Sequence, residues 1–257
     1  MDFFRPNSDM KKALLFLMFL FLGSNLQSDS EPSPEEIIRK FAAKETEFNK
    51  VWKTYTYQQN IVFQILDRVG RVREQRQLRI EVYFTSAGLR ETRIVEDHGV
   101  LRSVGVTQED LEDAIHRQPF VLTSDQLSKY KIKYRGKEQV DELNTYVFEV
   151  KPRRGKKGER YFKGRIWVDD EDFQIVMTKG KIWPDYSNNK FPEFETVRQQ
   201  VDGKYWFPTW TKADDTLHFG NFRAGYRDVH IREFITYEDF KRFEVDTDIQ
   251  YGKVEEP

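Results

Sequence analysis

The sequence contains no cysteine, and this absence excludes several kinds of protein at once. Without thiols the chain can form no disulfide, no thiolate metal site and no cysteine nucleophile, and it offers no cysteine for a lipoprotein anchor. Histidine is also scarce. The four histidines are His98, His116, His218 and His230, and none has a metal-ligand spacing to another. We therefore expect no metal ion and no other cofactor.

A charge excess of one sign is also missing. The chain has 42 lysines and arginines against 43 aspartates and glutamates, a net charge of -1. This balance disfavours a dedicated nucleic-acid binder, and we expect no nucleic-acid partner. The most basic run, Lys151–Arg160, lies between two predicted strands. It fits a solvated loop, and the alternative is attraction to anionic lipid headgroups.

Motifs of the common enzyme classes are absent as well. The sequence has no Gly-x-Ser-x-Gly motif, no phosphate loop and no dinucleotide fingerprint. The nearest constellation is Asp214-Asp215-x-x-His218, which could hold a divalent cation or act as an acid–base pair. Because Ala213–Leu217 also fits a polar strand end and turn, we predict no catalytic residue and no enzyme.

Apolar runs long enough to cross a membrane are also lacking near the N-terminus. Ala13–Leu22 is a run of ten apolar residues after Lys11-Lys12, whereas a spanning helix needs about 20 residues. This pattern is typical of a secretion signal, which we place in residues 1–30; the alternative is an uncleaved N-terminal anchor. We expect an exported protein whose residues 31–257 form a single domain.

A helix is predicted to follow the signal. Ser33-Pro34-Glu35-Glu36 combines a capping serine, a proline at the first helical position and an early glutamate. The apolar residues that follow lie on one side of the helix, with Glu45 interrupting them: Ile37, Ile38, Phe41, Ala42, Phe48 and Trp52. The helix either closes the end of a β-sheet core or acts as a movable lid over a ligand cavity.

From Thr54 onward the apolar period changes to two, which indicates strands. Thr107–Arg117, within an insertion Val106–Ser128, is predicted to be a second helix. We expect about eleven or twelve antiparallel strands: a long first strand from Thr54, then Val72–Thr85, Leu89–Glu96, Val100–Val104, Tyr130–Val140, Thr145–Lys151, Arg160–Val168, Phe173–Trp183, Phe194–Val201, Tyr205–Lys212, Asp228–Tyr237 and Phe240–Thr247.

The clearest element is a hairpin within Gly158–Trp183, whose acidic cluster Asp169–Asp172 favours a turn. Its apolar residues are predicted to share one sheet face: Phe162, Ile166, Val168, Phe173, Ile175 and Met177. Trp167 is out of phase with them and should point to the opposite face.

Aromatic residues are abundant: 21 Phe, 12 Tyr and 5 Trp. A wide sheet of about eleven strands with many aromatic side chains favours an apolar cavity, and the alternative is an aromatic core packed shut. We predict that the cavity is lined by residues of the first helix, the first strand and the hairpin: Phe41, Tyr57, Ile61, Phe63, Phe162, Ile166, Val168 and Ile175.

Three segments carry a resemblance to a known family: Tyr134–Pro152, Gly164–Asp169 and Phe173–Met177. Together with the order of signal, helix, strands, helical insertion and hairpins, they make the chain resemble the LolA/LolB/RseB-like superfamily. The resemblance implies a mainly β fold with helices (α+β), in which a strongly curved antiparallel sheet of about eleven strands forms an incomplete barrel and helices cover its concave side.

The resemblance also implies a function. It points to a soluble periplasmic carrier that holds the acyl chains of lipoproteins or lipids under a helical lid, with membrane-associated donor and acceptor proteins as partners. The alternative is a non-enzymatic envelope sensor or protein-interaction module of the same fold. The family's lid-bonding arginine could correspond to Arg73, Arg76 or Arg79, and we assign it to none of them.

Overall fold

The structure, a computed structural model, describes residues 31–102, 120–156, 159–184, 192–221 and 225–243. Helix α1 spans Pro34–Trp52, and a short 3-10 helix spans Ser124–Lys129. The strands are β1 (Tyr55–Leu66), β2 (Val72–Phe84), β3 (Arg90–Gly99), β4 (Tyr130–Val140), β5 (Leu143–Pro152), β6 (Tyr161–Asp169), β7 (Ile175–Trp183), β8 (Phe194–Gln200), β9 (Trp206–Asn221) and β10 (Gly225–Arg242).

All ten strands belong to one antiparallel sheet, in the order β3-β2-β1-β10-β9-β8-β7-β6-β5-β4. Neighbours in the sheet are also consecutive in sequence, except that β1 pairs with β10. The strands β3 and β4 are the two edges, so the sheet is not closed into a barrel. The mainly β class and the unclosed antiparallel sheet are as predicted.

The predicted count of about eleven strands is wrong, since the described residues form ten. The two strands expected at Asp228–Tyr237 and Phe240–Thr247 are one continuous strand, β10. Asp239 adopts a φ of 55° within a bulge against β1, and the strand continues past it. The expected strand Val100–Val104 is irregular at residues 100–102, and its remainder lies outside the described residues.

Helix α1 forms where the capping pattern predicted it, with Glu35 and Glu36 in the first turn and Lys50 in the last. Both placements suit the helix dipole. Within the described part of the chain, no helix is long and apolar enough to cross a membrane. The second expected helix, Thr107–Arg117, lies outside the described residues, so a cover made of two helices stays a prediction.

Helix α1 lies against one face of the sheet. Phe41 contacts Phe148 of β5, and Trp52 contacts Tyr57 of β1. These two helix residues are about 16 Å apart along the axis, whereas β5 and β1 are separated by six strand spacings, about 29 Å on a flat sheet. Both contacts place α1 across one face of the sheet, between β5 and β1. We call this the inner face.

The predicted hairpin is formed by β6 and β7. Asp169 and Asp172 stabilise its turn, because their carboxylates accept the backbone N–H groups of Asp172 and Gln174 at 3.0 and 2.9 Å. Phe173 has a φ of 58° and lies in this turn, so β7 begins at Ile175 and not at Phe173.

Most of the predicted face assignment of the hairpin holds, with one correction. Val168 pairs with Ile175 and Trp167 with Met177, because a bulge on β7 adds Val176 between them. The extra residue reverses the alternation, so Met177 lies on the outer face with Trp167. Trp167 points away from the inner face, as predicted, and packs with Val147 and Val176.

Gly164 of β6 is directly opposite Gly180 of β7. A Cβ added at Gly164 would lie 2.6 Å from the Gly180 Cα and 2.8 Å from the ring of Phe162. No other residue type fits this pair, since the two backbones and the Phe162 ring occupy the space of the missing side chains.

Candidate functional site

The candidate site lies where α1 meets the inner face of the sheet. The buried residues of α1 recur at intervals of three and four, the spacing of one helix face: Ile37, Phe41, Ala42, Glu45, Phe48 and Trp52. All are apolar except Glu45, which is 1% exposed and lies in the middle of the row. Burying a carboxylate is costly unless it has partners, so the residues around Glu45 define the centre of the site.

The N-terminal half of α1 packs on β4–β9, in what we call the upstream cluster. The rings of Phe41 and Phe148 are 5.6 Å apart. Five of the predicted cavity residues belong to this cluster, and each is at most 3% exposed: Phe41, Phe162, Ile166, Val168 and Ile175.

The C-terminal half of α1 packs on β1, β2, β9 and β10, in the downstream cluster. Trp52 lies 4.7 Å from the Tyr57 ring, and Phe48 meets Phe207 edge to face at 5.5 Å. The other three predicted cavity residues, Tyr57, Ile61 and Phe63, are in this cluster and at most 8% exposed. All eight are therefore buried side chains in two clusters that α1 covers; that they line a ligand cavity stays a prediction.

A polar row crosses the inner face on the strands between β6 and β10. Thr178, Thr196 and Thr211 are consecutive cross-strand partners on β7, β8 and β9. The Thr196 and Thr211 hydroxyls are 2.8 Å apart, and Thr211 is 3.1 Å from the Tyr237 hydroxyl. The inner face is thus not uniformly apolar, since hydroxyl groups lie beneath the helix.

Arg198 of β8 extends this polar region up to the helix. Its guanidinium donates to both carboxylate oxygens of Glu45, at 2.8 and 3.3 Å, and lies 5.0 Å from the centre of the Phe48 ring. The Arg198 and Glu45 side chains are each 1% exposed. A salt bridge excluded from water thus joins the middle of α1 to the middle of the sheet.

The same salt bridge ties down a third element, residues 120–124, which lead into β4. Arg198 also donates to the backbone carbonyl of Phe120, and the Ser124 N–H donates to the Thr46 hydroxyl of α1 at 3.0 Å. Phe120 in turn stacks on Phe162 with ring centres 4.3 Å apart. Helix, sheet and this segment therefore meet at one buried charged group.

Burial raises the pKa of the Glu45 carboxyl above its usual value, while Arg198 and backbone hydrogen bonds at Leu122 and Ile175 act in the opposite direction. A raised pKa means that Glu45 takes up a proton more readily in the folded chain than in the unfolded one. Its contribution to stability is complete below the usual pKa and is lost as the pH rises through the raised value.

A cavity of about 290 Å³ lies beside this site, at the end of the sheet where β4 and β6 begin and β7 ends. The residues around it are mostly aromatic or aliphatic: Asn49, Phe120, Val121, Gln126, Tyr130, Arg160, Tyr161, Phe162, Ile182 and Phe194. Among the predicted cavity residues, Phe162 lines it. Phe120 links the cavity to the salt bridge, since it forms part of the wall and accepts a hydrogen bond from Arg198.

The weak acid–base constellation does not assemble. Asp214 pairs with His230 at 2.6 Å, whereas His218 pairs with Asp228 at 2.6 Å. Asp215 and His218 are three residues apart on β9, so they point to opposite faces. Within the described residues, no group of three His, Asp or Glu side chains could hold a metal ion.

The three arginines considered for the lid contact lie elsewhere. Arg76 and Arg79 form cross-strand salt bridges with Asp97 and Glu96 of β3, and Arg73 is exposed. Sequence reasoning missed Arg198, the arginine that does bond the helix. The available signal was its partner, since Glu45 was the one charged residue on the apolar side of α1.

The open ten-stranded antiparallel sheet with a helix on its inner face defines the class of fold. No family model and no curated protein matches the sequence. Similar solved structures include a putative outer membrane lipoprotein-sorting protein domain from Vibrio parahaemolyticus, at 12% identity and a TM-score of 0.40, covering 83% of this chain and 95% of that one.

Two further solved structures are similar. One is a LolA superfamily protein from Nitrosomonas europaea, at 11% identity and a TM-score of 0.37, covering 83% of this chain and 95% of that one. The other is MucB, at 10% identity and a TM-score of 0.28, covering 79% and 92%.

Proposed function

We propose that the chain is an exported, non-enzymatic carrier that holds acyl chains of a lipid or lipoprotein between the sheet and α1, with α1 as a cover that opens. The observation that carries the proposal is the salt bridge between Glu45 and Arg198, buried in the centre of an otherwise apolar helix–sheet interface.

A permanently closed interface would be served as well by apolar residues at these two positions. Removing two charges from water costs several kcal/mol per ion, and apolar replacements of buried ion pairs are often neutral or stabilising. A charged pair is instead suited to a contact with two states. When α1 is seated, the Arg198 guanidinium bonds both Glu45 oxygens, although its Nε has no hydrogen-bond partner within the described residues; both groups can be hydrated when α1 leaves. We therefore regard the pair as a latch.

The neighbouring cavity supports a cover that opens. Its volume of about 290 Å³ is at the lower limit of ordinary ligand pockets, about 300 Å³. A long acyl chain needs more room, and displacing Phe120 would provide it, because this residue forms part of the cavity wall and its backbone carbonyl is held by Arg198. Each CH₂ group buried there would contribute about 0.8 kcal/mol to binding.

A second candidate is a non-enzymatic envelope sensor or protein-interaction module with a permanently filled interior. It is favoured by the packing of the two clusters, in which all eight predicted cavity residues are at most 8% exposed. The two candidates differ in one property, which is whether an acyl chain enters the interior.

Displacement of a fluorescent fatty acid, together with native mass spectrometry of protein purified from its own envelope, tests the proposal. Ile182 lines the cavity, and an Ile182→Trp substitution should fill it and weaken fatty-acid binding at least tenfold. The matched control is Ile94→Trp, at a position of β3 that is 47% exposed, where binding should not change.

If no acyl ligand is recovered and the fluorescent fatty acid does not bind, the carrier function is rejected. The sensor or protein-interaction module with a permanently filled interior then becomes the favoured function. Equal binding by the two tryptophan variants would show that the fatty acid does not occupy this cavity.

A further inference from the structure

The outer face of β4–β7 carries cations where a sheet would ordinarily avoid them. Lys131 is opposite Lys151, and Arg165 is opposite Lys179. Lys163 is likewise opposite Lys181. Like charges directly opposite each other destabilise a sheet. We call these six residues the outer basic patch.

Few acids compensate the patch. Glu149 is shared between Lys151 and Arg135, and Glu195 pairs with Lys179 at 3.5 Å. Within the described part of the chain, the exposed Lys163 and Arg165 form no salt bridge, although Glu149 is directly opposite Arg165 and Glu193 also lines the trough beside them. Hydrogen bonds from Lys151 and Arg135 lower the pKa of Glu149 to about 2. The patch stands out in a chain whose net charge is -1.

Protection of a sheet edge does not account for the patch. Lysines on edge strands prevent edge-to-edge pairing, and this reasoning covers Lys131 on β4. It does not cover β6 and β7, because each is paired with a strand on both sides. Four of the six cations lie on these two inner strands.

The geometry fits an extended anionic plane better than a single small anion. From β4 to β7 the patch spans three strand spacings, about 14 Å. It borders an open trough of about 760 Å³ that includes Gly164 and Gly180. Five of the six cations are lysines, which bind as point charges and suit dispersed phosphates, whereas arginine forks suit fixed bidentate contacts.

We propose that the outer basic patch docks the protein on a membrane surface by binding the phosphate headgroups of anionic lipids. Basic residues near an anionic leaflet each contribute to such binding. A single-stranded nucleic acid is disfavoured because its bases stack on exposed aromatic rings, and Trp167, the aromatic residue of the trough, is 5% exposed.

Docking by this face would also bring the interior close to the bilayer. The 290 Å³ cavity includes Phe162 and Ile182, which are adjacent in sequence to Lys163 and Lys181. The patch and the cavity therefore lie at the same end of the sheet, on its two faces.

Vesicle co-sedimentation tests the proposal. The full chain should bind vesicles made of equal parts phosphatidylglycerol and phosphatidylcholine, bind pure phosphatidylcholine at least tenfold more weakly, and lose affinity as salt is added. Each basic residue near an anionic surface is worth about fivefold. The triple variant Lys163→Gln, Arg165→Gln, Lys181→Gln should therefore bind about a hundredfold more weakly.

The control is a triple variant with the same change in net charge, made at exposed positions outside the patch: Lys50→Gln, Lys53→Gln, Arg73→Gln. It should retain binding to within a few fold. The patch variant should unfold at the same temperature as the unmodified protein or a higher one, because two like-charge pairs are relieved. A folded variant that has lost binding would identify the patch as the docking surface.

Three results would overturn the proposal: no preference for anionic vesicles, equal losses in the two triple variants, or tighter binding of polyglutamate or an oligonucleotide than of vesicles. The vesicle assay reads headgroup binding, and fatty-acid displacement reads the interior. The docking proposal can therefore fail while the proposed carrier function holds. Likewise, the carrier function can fail while docking holds.

Discussion

The two faces of the same strands in this sheet have opposite chemistry. On β5, Phe148 is fully buried beneath α1, whereas the next residue, Glu149, lies on the outer face between Arg135 and Lys151. On β6, Phe162 and Ile166 face inward, and Lys163 and Arg165 face outward. A single alternating sequence thus builds an apolar interior on one side and a cationic surface on the other.

This difference between the two faces separates the interactions that stabilise the fold from those that can bind a partner. Hydrophobic burial and the Glu45–Arg198 salt bridge act on the inner face, where water is excluded and the loss of a single group is costly. Charges on the outer face are hydrated and screened, so they contribute little to folding and are available for a partner. The predictions that follow compare matched changes on the two faces.

The largest expected difference is between two Phe→Ala substitutions. Phe148 is 0% exposed on the inner face, and Phe234 is 40% exposed on the outer face. Phe148→Ala should lower the free energy of unfolding by about 3–5 kcal/mol, because it removes a buried ring and leaves a cavity. Phe234→Ala should cost about 1 kcal/mol, the value of its stacking on Trp210. Urea denaturation measures both, and comparable losses would contradict the assignment of the two faces.

The second comparison is between ion pairs on the two faces. Arg198→Met alone should destabilise the protein by about 3 kcal/mol, because Glu45 is left charged and buried. The double variant Arg198→Met, Glu45→Leu should recover most of this loss, since no charge remains in the interface. If the pair acts as a latch, the double variant should also take up a fluorescent fatty acid more slowly.

The matched pair on the outer face is Lys179 and Glu195, whose side chains are 49% and 33% exposed. Its single and double substitutions to Met and Leu should each change stability by less than about 1 kcal/mol. A double-mutant cycle gives the coupling energy of each pair. Equal coupling energies in the two cycles would show that burial in the helix–sheet interface does not strengthen the Glu45–Arg198 interaction.

The sequence predicted much of this organisation because period-two patterning determines which side chains share a face. The β6–β7 hairpin, the opposite orientation of Trp167 and the buried side of α1 all follow from local spacing. Patterning fails where an extra residue breaks the period. Val176 forms a bulge that moves Met177 to the outer face, and Asp239 lets β10 continue where two strands were expected.

Only one of the two residues of the Glu45–Arg198 salt bridge could be predicted from the sequence. Glu45 was visible as a charge on an apolar helix face, but its partner depends on contacts far apart in the chain. Arg198 points inward with Phe194 and Thr196, as the alternation of β8 requires, but alternation does not say which residue of α1 it meets. Long-range partners of this kind require the folded structure, since 153 residues separate the two side chains.

The smallest expected effect is a difference in protonation between two glutamates. Burial raises the pKa of Glu45 above 4.5, whereas hydrogen bonds from Lys151 and Arg135 lower the pKa of Glu149 to about 2. The stability that Glu149 contributes is therefore present above pH 4.5 and is lost as the pH falls toward 2. For Glu45 the loss occurs instead as the pH rises above 4.5.

Carbon-13 NMR titration of the two carboxyl groups measures these directions. Lys151→Gln should raise the pKa of Glu149 more than Arg135→Gln does, because Lys151 is the larger cause of the shift. Neither substitution should move Glu45, which lies on the other side of the sheet. Parallel movement of both glutamates would mean that they share one electrostatic environment, and the contrast between the two faces would not hold for charge.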